Sequence, residues 1–338
     1  MPTLQDVAKK AGVSTATVSK VLSNTPYVSE ATRDKVLDAV SALEYRPNLA
    51  ARALSSGKTT IVAVVFPYIY DTIFKDPLVM RVLEGVETVL TAEGYNILLS
   101  MPRISHIGDD AQADEHFVRL VQSGYIEGLI AIDNVEAFSF ASFAEKHNVP
   151  AVVLGHHMGD YTVYSDNYAG GKLLMEQVLA EGHRQIGIIS VALETNLAVQ
   201  ERMRGIQAVY QSAGIDEPLP IVESDFSSQG GAKAVTTLLA QAPHLTAIIA
   251  INDRMAIGAL SGLQALGKRV PDDISVVGYD NIPLAGVAQP QLTTIDQKPV
   301  DLGNAAATLL LRRLQGETPT NVVIDPVLIK RESLSTRR

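Results

Sequence analysis

The chain has 338 residues, of which 46% are hydrophobic and 19% charged, so it is long enough for two or three globular domains. It contains no cysteine, which excludes disulfide frameworks, thiolate metal sites and cysteine nucleophiles. The formal net charge is −9, but residues 1–60 carry 8 Lys and Arg against 5 Asp and Glu, a net of +3. A basic N-terminal segment on an acidic body indicates that any contact with nucleic-acid phosphates lies near the N-terminus.

The N-terminus has no apolar run typical of a signal peptide. No segment approaches the ~20 apolar residues of a membrane span. We therefore expect a cytoplasmic protein that has no membrane partner.

Residues 1–46 are predicted to form an all-α helix-turn-helix domain. Thr3 and Asp6 have the spacing of a capping box at the start of a first helix. Gly12 ends that helix in a tight turn, Ser14 caps a second helix and Ser29 caps a third. The buried positions expected from helical spacing are Val18, Val21, Leu22, Val36, Leu37, Val40 and Leu43. Two short helices joined by a glycine-containing turn are typical of this motif.

Residues 47–59 are predicted to be a linker that contains a short hinge helix. Pro47 ends the third helix, because proline cannot continue it. Asn48 could cap a helix over residues 49–56, and Gly57 could be its C′ residue. Such a helix is shorter than the ~12–15 residues that are stable in isolation, so we expect it to fold only against a partner.

From residue 60 to residue 338, short apolar runs alternate with amphipathic helices, which indicates βαβ units and parallel sheets. The predicted strands are Ile61–Phe66, Tyr95–Leu99, Gly128–Ile132, Ala151–Leu154, Ile186–Ser190, Leu219–Val222, Thr246–Ile251 and Ile274–Val277. The predicted helices include Leu78–Ala92, Ala169–Glu181, Ala198–Ala213, Gly230–Leu239 and Asp253–Leu266. The segments GLIAIDN and TAIIAIND are alike, so we predict two similar Rossmann-like α/β lobes. A ligand is expected in the cleft between them, at the C-terminal ends of the strands.

Five segments carry a resemblance to a known family. They are TLQDVAKKAGVSTATVSKVLS (3–23), VSEATRDKVLDAVSALEYRPNLAARAL (28–54), ERMRG (201–205), AIIAINDRMAIGAL (247–260) and ISVVGYDN (274–281). In these segments the chain resembles the lac/gal repressor (LacI/GalR) family of bacterial transcriptional regulators, and the resemblance covers nearly the whole chain. It implies a DNA-binding head joined to a core similar in fold to periplasmic sugar-binding proteins. It also implies a repressor whose binding to a pseudo-palindromic operator responds to a small effector.

The resemblance and the docking geometry of this motif predict two groups of DNA contacts. The second helix is expected to enter the major groove with its N-terminal residues, which are Thr15, Ala16, Ser19 and Lys20. Lys20 can donate to guanine acceptors. In the hinge helix, the resemblance implies that Leu54 is an apolar wedge in the minor groove, with Asn48 and Ala51 as further contacts. Because a leucine-heptad extension of the kind found in some family members is absent, we expect a homodimer.

The resemblance places the ligand contacts at residues that follow buried strands or begin helices. The polar candidates are Asp166, Arg202, Asn252 and Asp280, and the aromatic candidates are Phe66, Tyr68 and Phe226. Guanidinium, amide and carboxylate groups together suit a polyhydroxylated ligand such as a sugar. The purine-binding branch of the family carries a basic and a hydroxyl residue where this chain has Asn196 and Ala198, so a sugar is favoured over a purine.

Two other classes of protein share parts of this pattern. A solute-binding protein of a transporter would have a signal peptide and no helix-turn-helix. A sugar-modifying enzyme would need a paired acid and base or a nucleophile motif, and the sequence contains neither a G-x-S-x-G elbow nor a Walker loop. We therefore expect no enzymatic activity, no catalytic residues, no cofactor and no metal. The identity of the effector, its action as inducer or corepressor, and the operator are left open.

Overall fold

The computed structural model describes residues 2–22, 27–45, 59–66, 76–105, 112–132, 138–155, 159–192, 196–215 and 219–337. The predicted hinge helix, with Asn48, Ala51 and Leu54, and the aromatic Tyr68 lie outside these residues. The chain divides into two compact units, Met1–Thr60 and Ile61–Arg338, which we call the head and the core.

The described part of the head contains the helices α1 (Leu4–Ala11), α2 (Thr15–Leu22) and α3 (Glu30–Ala42). The predicted capping box is confirmed: Asp6 N donates to Thr3 Oγ1 at 3.3 Å and Thr3 N donates to Asp6 Oδ2 at 2.7 Å. Gly12 ends α1 at φ 68°, a left-handed conformation that glycine adopts without steric cost. Ser14 Oγ then accepts from Thr17 N at 3.1 Å at the start of α2. Local hydrogen bonds thus define the turn between the two helices.

A small cluster of apolar side chains holds the head together. Its buried members are Val7, Ala8, Val18, Val21, Val36 and Ala39. The prediction for Leu37 is wrong, because this side chain is 47% exposed. Leu37 lies about 100° around α3 from Val36, and Ala39 occupies the next inward position instead. Ser29 does precede α3 at the N-cap, but its Oγ pairs with Thr32 Oγ1 at 2.8 Å and makes no bond to the backbone.

In the described part of the core, helices and strands alternate along most of the chain. The helices are α4 (Pro77–Ala92), α5 (Glu115–Gln122), α6 (Phe140–Lys146), α7 (Asn167–Ala180), α8 (Leu197–Ser212), α9 (Ser228–Gln241), α10 (Asp253–Ala265) and α11 (Pro299–Leu314). The strands are β1 (Ile61–Val65), β2 (Asn96–Ser100), β3 (Ile104–Ser105), β4 (Gln112–Ala113), β5 (Gly128–Ile132), β6 (Ala151–Leu154), β7 (Thr162–Ser165), β8 (Ile186–Val191), β9 (Ile221–Ser224), β10 (Ala247–Ala250), β11 (Ser275–Val277), β12 (Thr294–Asp296), β13 (Val322–Ile324) and β14 (Val327–Ile329). None of the helices in the described residues is long and apolar enough to cross a membrane.

The first lobe is built on a parallel sheet with the strand order β13-β7-β6-β5-β1-β2. Alternate residues of β1 face opposite sides of this sheet. Val62 and Val64 pack beneath α4 and α11, whereas Ala63 and Val65 pack beneath α5 and α6. Because helices cover both faces, the central strands are continuous apolar runs rather than alternating ones.

The second lobe is built on a smaller parallel sheet with the order β11-β10-β8-β9. Ile188 of β8 lies beside Ile249 of β10 and Ile221 of β9, which sets the register. Helix α7 packs against α8, and α9 packs against α10. The strand predicted at Leu219–Val222 begins two residues later, after Pro220, which has no N–H for the ladder.

Three crossing segments join the lobes within the described residues. They lie between β7 and α7, between β12 and α11, and between β13 and β14. Strands β12 and β14 pair with each other in an antiparallel ribbon. The predicted pair of α/β lobes joined by crossing segments is confirmed.

Candidate functional site

A cavity of about 410 Å³ lies in the core, with walls from both lobes. First-lobe residues at the ends of β5, β6 and β7 line one side, and second-lobe residues that follow β10 and β11 line the other. This is the position at which parallel α/β sheets bind ligands, because the C-terminal ends of their strands converge there. The volume lies within the range of small-molecule sites.

Arg202 forms the buried centre of the second-lobe wall. Its Nε donates to Asn167 Oδ1 at 2.8 Å, and its Nη1 donates to the carbonyl oxygen of Ile251 at 2.6 Å. The guanidinium carbon lies 3.7 Å from the centre of the Tyr279 ring, so the cation rests on an aromatic face. Nη1 also lies 3.8 Å from Asp280 Oδ1. These contacts fix the orientation of the guanidinium before any ligand arrives.

Asp280 is held in an uncommon backbone conformation, at φ 117°. A non-glycine residue keeps such a conformation only where its surroundings impose it. Asp280 N donates to the carbonyl oxygen of Ile295 at 2.8 Å, and Gln297 Nε2 donates to Asp280 Oδ1 at 2.6 Å. Burial raises the pKa of Asp280 to about 7, and the positive charge of Arg202 opposes that rise. The carboxyl group therefore titrates near neutral pH.

Asn252 and Phe226 also lie on the cavity wall. Asn252 caps α10, since its Oδ1 accepts from Met255 N at 2.8 Å. Its Nδ2 donates to the carbonyl oxygen of Phe226 at 3.3 Å and so supports the loop that carries the aromatic ring. Both ends of the Asn252 amide thus have protein partners.

Two predicted ligand residues are not on the wall. Phe66 is fully buried in the core of the first lobe, between α4 and the sheet. Asp166 caps α7, because its Oδ1 accepts from Ala169 N at 2.8 Å. The neighbouring Asn167 lines the cavity instead and bonds to Arg202. The structure thus brings together Arg202, Phe226, Asn252 and Asp280, while Tyr68 lies outside the described residues.

Several wall residues had not been predicted from the sequence. The first lobe supplies an apolar surface made of Leu78, Val79, Val82, Leu154 and Leu302. Ser165 lines the cavity, and its Oγ is buried without a hydrogen-bond partner among the described residues. A second ion pair, Asp76 with Arg254, joins the two lobes at 3.5 Å. One face of the cavity is therefore apolar and the other is polar and charged.

The position of Arg202 depends on the close approach of α7 and α8. A Cβ on Gly171 would lie 2.1 Å from the carbonyl oxygen of Arg202, and one on Gly205 would lie 2.2 Å from that of Tyr168. Only hydrogen fits at these two crossings.

We expect Gly171→Ala to destabilise the core by about 1–3 kcal/mol, because the helices must separate to accept the methyl group. Because separation of α7 and α8 also displaces Arg202, ligand binding should weaken as well. Urea denaturation measures the first effect, and Gly286→Ala is the matched control, since the nearest atom to its Cβ is 4.0 Å away. Equal stability of the two variants would contradict this account of the crossing.

The head presents a polar face on α2. Thr15, Ala16, Ser19 and Lys20 are all exposed, whereas Val18 and Val21 of the same helix are buried. Positions 15, 16, 19 and 20 share one side of a helix, because they are related by steps of one and four residues. The residues predicted to read base edges thus form a single solvent-facing surface.

A helix-turn-helix head and a two-lobed core with a cavity between its sheets define a ligand-responsive DNA-binding regulator. Residues 3–48 match the bacterial regulatory proteins of the lacI family, and residues 175–334 match the periplasmic binding protein-like domain. The chain belongs to the lacI family of bacterial regulatory proteins.

Relatives similar over their whole length support this assignment. The HTH-type transcriptional repressor PurR of Erwinia tasmaniensis is 32% identical over 342 residues, which cover 99% of this chain and 97% of the relative. The ribose operon repressor of Haemophilus influenzae is 32% identical over 340 residues, which cover 99% of each chain. Both relatives are repressors. This chain is therefore a ligand-responsive transcriptional repressor.

Solved structures agree with the fold. A lac repressor dimer bound to operator and the anti-inducer ONPF superposes with a TM-score of 0.84 at 27% identity, covering 99% of both chains. A complex of the transcriptional regulator CelR with cellobiose superposes with a TM-score of 0.72 at 29% identity, covering 98% of this chain and 100% of that one.

Proposed function

We propose that this repressor binds a neutral polyhydroxylated ligand, a sugar or sugar derivative, in the cavity between its lobes. The observation that carries the proposal is the buried pair of Arg202 and Asp280 opposite an apolar wall. The carboxylate accepts hydrogen bonds from hydroxyl groups, and the guanidinium donates to hydroxyl oxygens. The apolar wall suits the C–H face of a sugar ring. Phe226, Asn252 and Ser165, which also line the cavity, complete the proposed contacts.

A purine is the alternative candidate for the ligand, because some similar repressors are named PurR. Asn196 and Ala198 line the cavity at the start of α8. Asn196 Oδ1 already accepts from Val199 N at 3.1 Å, and an alanine methyl group offers no hydrogen bond to a base edge. These two positions favour a sugar.

We infer that a homodimer binds a pseudo-palindromic operator, because two-fold symmetry in the protein matches two-fold symmetry in the DNA. The exposed face of α2, with Thr15, Ala16, Ser19 and Lys20, supports insertion into the major groove. The similar lac repressor dimer is described as bound to operator. For residues 47–59, a hinge helix that inserts Leu54 into the minor groove, with Asn48 and Ala51 as further DNA contacts, stays a prediction from the sequence.

The two sites are proposed to be coupled through the lobes. A ligand that contacts both walls favours one arrangement of the lobes, and operator DNA favours one arrangement of the two heads. If these preferences are linked, ligand and operator alter each other's affinity by the same factor.

The experiment starts from an operator selected out of random-sequence duplexes with the full-length protein. Binding is measured against salt concentration, and then with sugars and purine bases added one at a time. We expect a steep salt dependence, since a protein that contacts about 6–10 phosphates loses about 10³–10⁵ in affinity between about 50 and 200 mM salt. We also expect at least one neutral sugar to change operator affinity. A flat salt dependence would contradict the DNA-binding assignment, and a response to purines alone would replace the sugar.

A variant in the hinge separates the two functions. Leu54→Ala should weaken operator binding, because an apolar wedge offsets the cost of unstacking a base step with added contact surface. Sugar binding by the same variant, measured by calorimetry, should be retained. Loss of both activities would mean that Leu54 has a structural role.

A further inference from the structure

The cavity wall carries two ion pairs that differ in exposure. The side chains of Arg202 and Asp280 are 8% and 9% exposed, whereas those of Arg254 and Asp76 are 21% and 30% exposed. The first pair lies within the second lobe. The second pair is nearer to solvent and joins α10 of the second lobe to the start of α4 in the first.

Asp76 is positioned by the helix that it caps. Its Oδ1 accepts from Leu78 N at 2.9 Å at the first turn of α4. This bond leaves Oδ2 directed toward Arg254, whose Nη1 lies 3.5 Å away. One carboxylate group therefore ends a helix and neutralises a cation on the opposite wall.

The charges on the described part of the cavity wall are closely balanced. The charged residues there are Asp76, Arg202, Asp225, Arg254 and Asp280. Each of the two arginines has a carboxylate partner, and Asp225 is an exposed residue whose Oδ1 accepts from Ser227. An anionic ligand that paired with Arg254 would have to displace Asp76, on a wall that also carries Asp225 and Asp280. A neutral ligand avoids both costs.

We propose that the Asp76–Arg254 pair determines the charge selectivity of the cavity, admitting uncharged ligands and excluding their phosphorylated or acidic derivatives. The part that concerns uncharged sugars rests on the proposed function above. The neutralisation of Arg254 by Asp76 does not, and it can be tested with an inorganic anion.

The decisive variant is Asp76→Asn. Asparagine caps helices as well as aspartate does, so α4 should keep its first turn while Arg254 loses its counter-charge. Glu84→Gln is the matched control, because it makes the same charge change at an exposed position of the same helix. The double variant Asp76→Asn/Arg254→Gln removes the freed cation again.

Inorganic phosphate is the first probe, titrated at constant ionic strength while the thermal unfolding midpoint is followed. We expect Asp76→Asn to bind phosphate at least tenfold more tightly than the wild type, a change of about 1.4 kcal/mol. Glu84→Gln and the double variant should behave like the wild type. If Asp76→Asn gains no affinity, or if the double variant keeps the gain, the proposal is overturned.

The second probe is a neutral sugar that binds the wild type, compared with its 6-phosphate. The preference for the neutral form should fall about tenfold in Asp76→Asn and stay unchanged in Glu84→Gln. An equal loss of both forms would overturn charge selection. If no neutral sugar binds the wild type, the proposed function fails, and the phosphate titration still decides the role of the pair.

A reciprocal variant keeps the proposal testable even if Asp76→Asn misfolds. Arg254→Gln leaves the Asp76 carboxylate unpaired on the wall, so the cavity should gain affinity for a cationic amino sugar such as glucosamine relative to glucose. An unchanged ratio of these two affinities would also count against the proposal.

Discussion

Replacing Arg202 with methionine is expected to lower the free energy of unfolding of the core by about 3–5 kcal/mol at pH 8, because it leaves a buried carboxylate without its counter-charge. Methionine fills much of the same space, so a new cavity is a minor cause. The substitution also removes the donors that satisfy Asn167 Oδ1 and the carbonyl oxygen of Ile251. Urea denaturation followed by circular dichroism measures the change.

The double variant Arg202→Met/Asp280→Asn is the control that isolates the charge. It should recover part of the loss, and about 1–3 kcal/mol should remain, because Asn167 and Ile251 still lack donors. Lowering the pH should also reduce the loss of stability in the single variant Arg202→Met. Arg202 lowers the pKa of Asp280, so in its absence that pKa rises further above about 7 and the carboxyl group is neutral at pH 5. If the single and double variants are equally stable at pH 8, the positive charge of Arg202 does not stabilise the buried Asp280 carboxylate.

The sequence was a better guide to the lobes than to the crossing segments. Strands such as β5 and β6 are buried on both faces, so continuous apolar runs marked their limits correctly. The strands β12 and β14 lack that signal, because each has only three residues and their ladder lies outside the two parallel sheets. Helix α11 packs on the first lobe although it follows most of the second in sequence. That return is a property of tertiary topology, which local periodicity does not encode.

Site residues could be predicted where a position on a strand or helix determines what a side chain faces. Arg202 and Asp280 are implied by the resemblance to the family, and Asp280 also follows a buried strand directly, where the cleft is expected. Asp166 and Asn167 show the limit: they are adjacent, and only the geometry of the first turn of α7 decides which one caps the helix and which one meets Arg202.

The Asp76–Arg254 pair was beyond sequence reasoning for a different reason. Its members are 178 residues apart and lie on different lobes. Asp76 looks like an ordinary N-cap and Arg254 like an ordinary first-turn residue, and only the approach of the two walls makes them partners. Contacts that depend on lobe orientation are also the ones that can change when a ligand binds.

Ligand affinity is expected to fall on the order of tenfold between pH 8 and pH 6, because protonation of Asp280 removes the charged acceptor. Burial raises the pKa of Asp280 to about 7, so the carboxyl group is mostly ionised at pH 8 and mostly neutral at pH 6. Hydrogen bonds from sugar hydroxyls to a carboxylate are stronger than those to a neutral acid. Calorimetric titration of a sugar that binds, at several pH values, measures the change.

Stability should change in the opposite direction, and this separates weakened binding from acid unfolding. The folded protein takes up a proton at Asp280 near pH 7, whereas the unfolded chain does so only near the ordinary pKa of 3.8. The Asp280 contribution to the free energy of unfolding therefore increases as the pH falls from about 7 toward about 4.

The variant Asp280→Asn tests which group titrates, and it should bind the sugar weakly with a flat pH profile. If Asp280→Asn keeps the wild-type pH profile of binding, Asp280 is not the group whose titration controls affinity. The neighbouring Asp253 is then the candidate, because burial also raises its pKa, although it faces Thr294 and Ile282 rather than the cavity.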